Sequence, residues 1–123
     1  MSQSYVLVVD DDAWQCDIYQ QTAQRHNIAT QQAATLNQAM AHIMQQPPVA
    51  IVADILLAGE TIFTLLNELQ SDTVLGSIPV VLCSNMTQQL AGVDLADYGV
   101  VRSIDKATMH PDDIIVALRA VGL

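Results

Sequence analysis

The sequence predicts an α/β domain: a five-stranded parallel sheet with helices on both faces. Three observations carry this reading. Short β-branched runs alternate with longer segments of helical period five times over, and such alternation implies a parallel sheet joined by right-handed crossovers. Several of the short runs are apolar at nearly every position, as strands covered on both faces must be. Apolar residues make up 51% of the 123-residue chain, enough to bury the core of one domain.

Taken in order, residues 5–10 read as the first strand. Residues 13–25 read as a helix with Asp12 as its N-cap, since a side-chain carboxylate there accepts from orphan amides of the first turn. Its apolar stripe is Trp14, Ile18, Thr22 or Tyr19, and Ala23 at helical spacing. Residues 28–33 form a weak second strand. Residues 35–45 form a helix with Leu36, Ala39, Met40 and Ile43 on one face, stopped by Pro47-Pro48. Residues 49–54 are the third strand. Residues 61–71 are a helix with Ile62, Leu65, Leu66 and Leu69 turned inward. Residues 78–84 are the fourth strand, opened by Pro79. A fourth helix spans 87–97, weakened by Gly92 inside it. Residues 100–104 are the fifth strand. The last helix spans 111–121, with Pro111 suited to its first turn. No linker, repeat or second domain is visible, so residues 1–123 read as one domain.

The formal net charge is −9, and only Arg25, Arg102, Arg119 and Lys106 are positive. A surface for nucleic acid needs clustered Lys and Arg, so direct nucleic-acid binding is not expected. Attraction to an anionic membrane is not expected for the same reason. No apolar run approaches the ~20 residues of a membrane span, and the N-terminus lacks a basic, then apolar, leader, so the expectation is a cytoplasmic protein. Cys16 and Cys83 have neither metal-site nor redox spacing and read as reduced core residues. His26, His42 and His110 share no ligand spacing and read as surface residues. Met40, Met44 and Met86 read as core or near-core filler.

The chemistry collects at strand ends. Asp10, Asp11 and Asp12 follow the first strand, Asp54 ends the third, Ser84 ends the fourth and Lys106, the only lysine, follows the fifth. In an open parallel sheet the ligand site lies outside the carboxyl ends of the strands, so these groups share one edge. Clustered carboxylates repel unless a cation binds them, which points to a hard metal such as Mg²⁺ and a phosphoryl group. Asp12 is excepted, since the helix cap accounts for it.

At this point the chain resembles the receiver domain of two-component response regulators, a flavodoxin-like, chemotaxis-type architecture, over essentially its whole length. The residues that carry the likeness are Val8-Val9-Asp10-Asp11, Ala53-Asp54, Cys83-Ser84 and Asp105-Lys106. The resemblance implies that Asp54 accepts a phosphoryl group from a histidine kinase or a histidine phosphotransfer protein. It implies that Asp11, Asp54 and the backbone carbonyl of Leu56 bind Mg²⁺, with Asp10 completing the acidic pocket. Lys106 and Ser84 would then contact the phosphoryl oxygens. A pull on Ser84 would change the surface built from segments 87–97, 100–104 and 111–121, for a downstream protein, a fused output domain or a second copy in a homodimer. Such a chain is no enzyme beyond its own phosphorylation and dephosphorylation.

The supporting positions depart from the family pattern. Ala58 stands where many receivers have Pro, and Ile62 where a Gly is common. Asn85 stands where the residue is usually small, and Ser103 where an aromatic is usual. Lys106 is followed by Ala107 in place of a cis Pro. A cis bond before alanine costs about 3 kcal/mol, which favours a trans loop that places Lys106 differently. Leu56 and Met86 occupy the positions thought to tune dephosphorylation; neither orients a water, so self-dephosphorylation is expected to be slow. Two alternatives remain open at this stage. One is a degenerate receiver acting as a phosphorylation-independent interaction module, motivated by Asn85, Ser103 and Ala107. The other is a Mg²⁺-dependent phosphohydrolase of the haloacid dehalogenase type, for which Asp10-x-Asp12 fits the first motif.

Overall fold

The computed structural model of the chain describes residues 3–85 and 94–123. Its central sheet contains β1 (Val6–Val9), β2 (Thr30–Ala33), β3 (Ala50–Ala53), β6 (Val80–Ser84) and β7 (Val100–Asp105). They lie in the order β2-β1-β3-β6-β7, and every pairing is parallel. Four α-helices are present among the described residues: α1 (Ala13–Arg25), α2 (Leu36–Gln45), α3 (Ile62–Gln70) and α4 (Asp112–Ala120). Among the described residues no helix is long and apolar enough to cross a membrane.

The strand period of two sorts the core into two layers. Leu7 and Val9 of β1 pack with Ile51, Ala53, Val80 and Leu82 beneath Ala39 and Ile43 of α2 and Leu65 and Leu66 of α3. Val6 and Val8 point the other way, with Ala50, Val52, Val81 and Cys83, against Cys16 and Tyr19 of α1 and Ile114 and Leu118 of α4. Both faces of the interior strands are therefore covered, which explains their unbroken apolar runs.

Asp12 caps α1 as expected, its Oδ1 accepting from Trp14 N (3.0 Å) and Gln15 N (3.2 Å). Thr35 caps α2 through Gln38 N, 3.1 Å away. Two apolar assignments need correction. Trp14 is 71% exposed, and the buried face of α1 is Cys16, Tyr19, Thr22 and Ala23. Trp14 stands two residues before Cys16, about 200° away round the helix, so it points away from the buried face. Met44 is 69% exposed, one residue off the stripe set by Leu36, Ala39 and Ile43. Met86 and most of the expected helix 87–97 lie outside the described residues; the end of that segment is a 3₁₀ turn, Leu95–Tyr98.

Two features were not anticipated. Leu56–Leu57 (β4) and Glu60–Thr61 (β5) form a small antiparallel hairpin directly after β3. Its two loop residues, Ala58 (φ 49°) and Gly59 (φ 83°), both have positive φ, as the favoured two-residue hairpin turn requires. The pairing of β6 with β7 also slips: Val80 pairs Val100 and Val81 pairs Arg102, leaving Val101 bulged and 53% exposed.

Candidate functional site

Register brings the strand ends to one edge. Val9 pairs Ala53, and Ala53 pairs Leu82, so Asp10 and Asp54 leave the sheet side by side. Ser84 pairs Asp105, so Lys106 leaves immediately beyond it. The first amides past the strands continue the ladder: Asp10 N donates to Ala33 O, Asp54 N to Val9 O, and Lys106 N to Ser84 O, at 3.0, 3.0 and 3.1 Å.

The side chains converge. Carboxylate oxygens of Asp10, Asp11 and Asp54 lie within 4.8 Å of one another. Lys106 Nζ bridges two of them, 2.9 Å from Asp10 Oδ2 and 3.1 Å from Asp54 Oδ2. Asp10 Oδ1 accepts from Asp12 N (3.0 Å), and Asp54 Oδ1 accepts from Ile55 N (2.8 Å). Asp11 Oδ2 accepts from Ala58 N at 3.0 Å, across from the hairpin turn. Ser84 is buried at the end of β6, and Leu56 lies on β4, about half exposed (47%). Asp12 is occupied with its cap, as expected.

Electrostatics follow from burial. Asp10 is 2% exposed, and desolvation lifts its carboxyl above the usual range against the pull of Asp12 N–H and Lys106. Burial alone lowers the Lys106 ammonium, but hydrogen bonding and charge from Asp10 and Asp54 outweigh it and leave the pKa raised. Three carboxylates against one ammonium leave negative charge uncompensated. A hard divalent cation fits that donor set, which is all oxygen.

The departures acquire shapes. Among the described residues no peptide bond is cis, so Lys106-Ala107 is trans, yet Lys106 still reaches both carboxylates. Asp105 makes this possible: its Oδ1 accepts from Ala107 N (2.9 Å) and its carbonyl from Met109 N (3.0 Å), folding the loop back. The signal for this turn was in the sequence, since Asp commonly accepts from the amide two residues on. Ala58 matters through its N–H, which a proline there would lack. Asn85 and Ser103 are exposed. Tyr98 packs edge-on against Phe63, ring centroids 5.0 Å apart.

Other residues stay outside the site. Cys16 and Cys83 are free and buried, and burial pushes their thiols up to about 11 and about 12. The acidic trio is the one group of three or more metal-ligating side chains among the described residues, and no histidine joins it. A shallow cleft of about 190 Å³ beside Asp10 and Asp11 is lined also by Gln32 and Gln38. Cavities of about 390 and 430 Å³ lie instead around Tyr5, at the opposite edge of the sheet, without an acidic side chain.

Comparison with known proteins agrees with this geometry. A sensor protein from Polaromonas sp. JS666 superposes with a TM-score of 0.87 at 16% identity, covering 98% of this chain and 96% of that one. The chemotaxis protein CheY4 of Vibrio cholerae gives 0.85 at 18% identity, with 98% and 99% covered. NtrX from Brucella abortus gives 0.80 at 23% identity over 98% of this chain, but only 27% of its own longer chain. No curated protein matches the sequence. The family model described as the response regulator receiver domain matches residues 6–119, and the chain belongs to that family.

Proposed function

We propose that this chain is a working receiver of a two-component system, phosphorylated on Asp54 by a histidine kinase or a histidine phosphotransfer protein. The observation that carries the reading is the Lys106 ammonium held between Asp10 and Asp54 inside a three-carboxylate group. Asp10, Asp11, Asp54 and the Leu56 carbonyl are the groups to hold Mg²⁺. Bound there, the cation supplies positive charge to the phosphoryl oxygens and lets a carboxylate approach an anion.

The chain's own residues do the rest. A carboxylate oxygen of Asp54 attacks phosphorus, forming a P–O bond. The P–N bond of the phosphohistidine breaks, and the imidazole leaves with the electron pair and takes a proton from solvent. Lys106, already 3.1 Å from Asp54, turns its ammonium to the phosphoryl oxygens. The Ser84 hydroxyl donates to another of them, and this contact is the switch that alters the surface of segment 87–97, β7 and α4 for a downstream protein, a fused output domain or a second copy. Leu56 offers no group to orient an attacking water, and neither does Met86, so the acyl phosphate is long-lived. The chain turns over no substrate beyond this cycle.

Intact mass after incubation with acetyl phosphate and Mg²⁺ tests the proposal. Wild type gains one phosphoryl group, and Asp54→Ala gains none. No gain in wild type, with no Mg²⁺ binding, would instead favour an interaction module independent of phosphorylation.

A further inference from the structure

Of the six carboxylate oxygens in the acidic trio, five accept a hydrogen bond from the protein. Asp10 uses Oδ1 for Asp12 N and Oδ2 for Lys106. Asp54 uses Oδ1 for Ile55 N and Oδ2 for Lys106. Asp11 uses Oδ2 for Ala58 N. Asp11 Oδ1 alone accepts nothing among the described residues. Asp11 is also the exposed member of the trio, so without its one bond the side chain would sample several rotamers.

We infer that the Ala58 amide is a positioning group: it fixes Asp11 Oδ2 so that Oδ1 is presented to the divalent cation. The inference rests on the Mg²⁺ reading above. The amide is aimed by the hairpin, not by its own side chain. Leu57 and Ile62, on either side of the turn, are fully buried, and Ile62 N donates to Ile55 O at 2.7 Å. The pairs Leu56 with Thr61 and Leu57 with Glu60 then force the turn through Ala58 and Gly59 with positive φ at both. The same hairpin carries Leu56, whose carbonyl is assigned to the cation. One small element thus controls two ligands, one through its own carbonyl and one through an N–H. Hydrogen-bond partners of metal ligands commonly act in this way, fixing ligand orientation. By linkage, a cation bound at Asp11 must hold the hairpin closed.

The test follows the Ala58 and Asp11 amide signals of ¹⁵N-labelled protein during a Mg²⁺ titration, with phosphoryl uptake from acetyl phosphate measured on the same sample. Saturating Mg²⁺ should slow hydrogen exchange at the Ala58 amide by about tenfold or more. Ala58→Pro, which has no N–H, should weaken Mg²⁺ by about tenfold; Ala58→Gly, the conservative variant, keeps the N–H and should retain wild-type affinity. Wild-type protein that takes up the phosphoryl group while exchange at Ala58 ignores Mg²⁺ would overturn the inference and leave the receiver reading standing. Equal loss of affinity in the Gly and Pro variants would overturn it too. Wild-type protein that binds no Mg²⁺ and gains no phosphoryl group would remove both. The exchange measurement needs no variant, so a misfolded Ala58→Pro leaves the question decided.

Discussion

Lys106 Nζ stands 2.9 Å from Asp10 Oδ2, closing a contact between residues 96 positions apart. The pair is nearly shut off from water, with Lys106 at 15% and Asp10 at 2% side-chain exposure. Each partner offsets part of the other's burial cost, and Lys106 keeps Asp54 as a second partner. Because the Lys106 pKa is raised in the folded chain, its contribution to stability is present below its unfolded value and is lost as pH rises through the folded value. Alkaline titration should therefore destabilise the fold above the ordinary lysine range.

Asp10 titrates in the same sense as Lys106 but in the acid range, so its share of stability also falls as pH rises. Its folded pKa is raised, with desolvation the largest cause, so the ionised form costs stability at neutral pH and protonation below that raised value relieves the cost. Asp10→Asn should raise Tm by roughly 2–5 °C in the absence of Mg²⁺. The same change should weaken the further rise that Mg²⁺ gives the wild type. Thermal melts with and without Mg²⁺ check both expectations.

Asp12 separates from its two neighbours. Its side chain caps α1 through Trp14 N and Gln15 N and takes no part in the trio, which Asp12 meets only through its backbone amide. Asp12→Ala should cost about 1 kcal/mol of stability, the usual worth of such a cap. Phosphoryl uptake measured by intact mass should be unchanged. A loss of uptake matching that of Asp54→Ala would place Asp12 in the site after all.

Ala58 holds a left-handed φ of 49°, a conformation glycine adopts without a Cβ penalty. Ala58→Gly should therefore raise stability by about 0.5–1 kcal/mol. Urea unfolding reads this directly, and the slope of the transition should not change.

The thiols should be inert. With pKa values near 11 and 12 and both sulfurs buried, little thiolate exists at pH 8. A coloured disulfide reagent should titrate no thiol in the native protein and two in urea.

Much of the fold could be read directly from residue pattern. Runs such as Val6 to Val9 and Ala50 to Ala53 are apolar throughout, which only a doubly covered strand tolerates, and they fell where expected. The convergence of Asp10, Asp11, Asp54 and Lys106 followed from strand ends sharing an edge. What escaped depended on backbone detail. The hairpin at 56–61 is set by positive φ at Ala58, and alanine gives no local warning of that conformation. Trp14 looked like a core residue because Ile18 and Thr22 follow it at helical spacing; the face that is buried is centred on Cys16, Tyr19 and Ala23, well round the helix from Trp14. Lys106 reached its partners despite the trans bond because Asp105 folds the loop, a contact local enough to have been anticipated.

The amides of Asp10, Asp54 and Lys106 are themselves the last rungs of the parallel ladder. Their main chain gives way only when neighbouring strands part, which makes these three the stiff corners of the site. Compliance must then reside elsewhere, in side-chain rotamers, in the two-residue hairpin and in the turn after Asp105. A cation or phosphoryl group arriving at this edge meets a frame whose corners hold still while its sides flex. Native-state hydrogen exchange should separate the two populations, the corner amides opening only with the sheet as a whole.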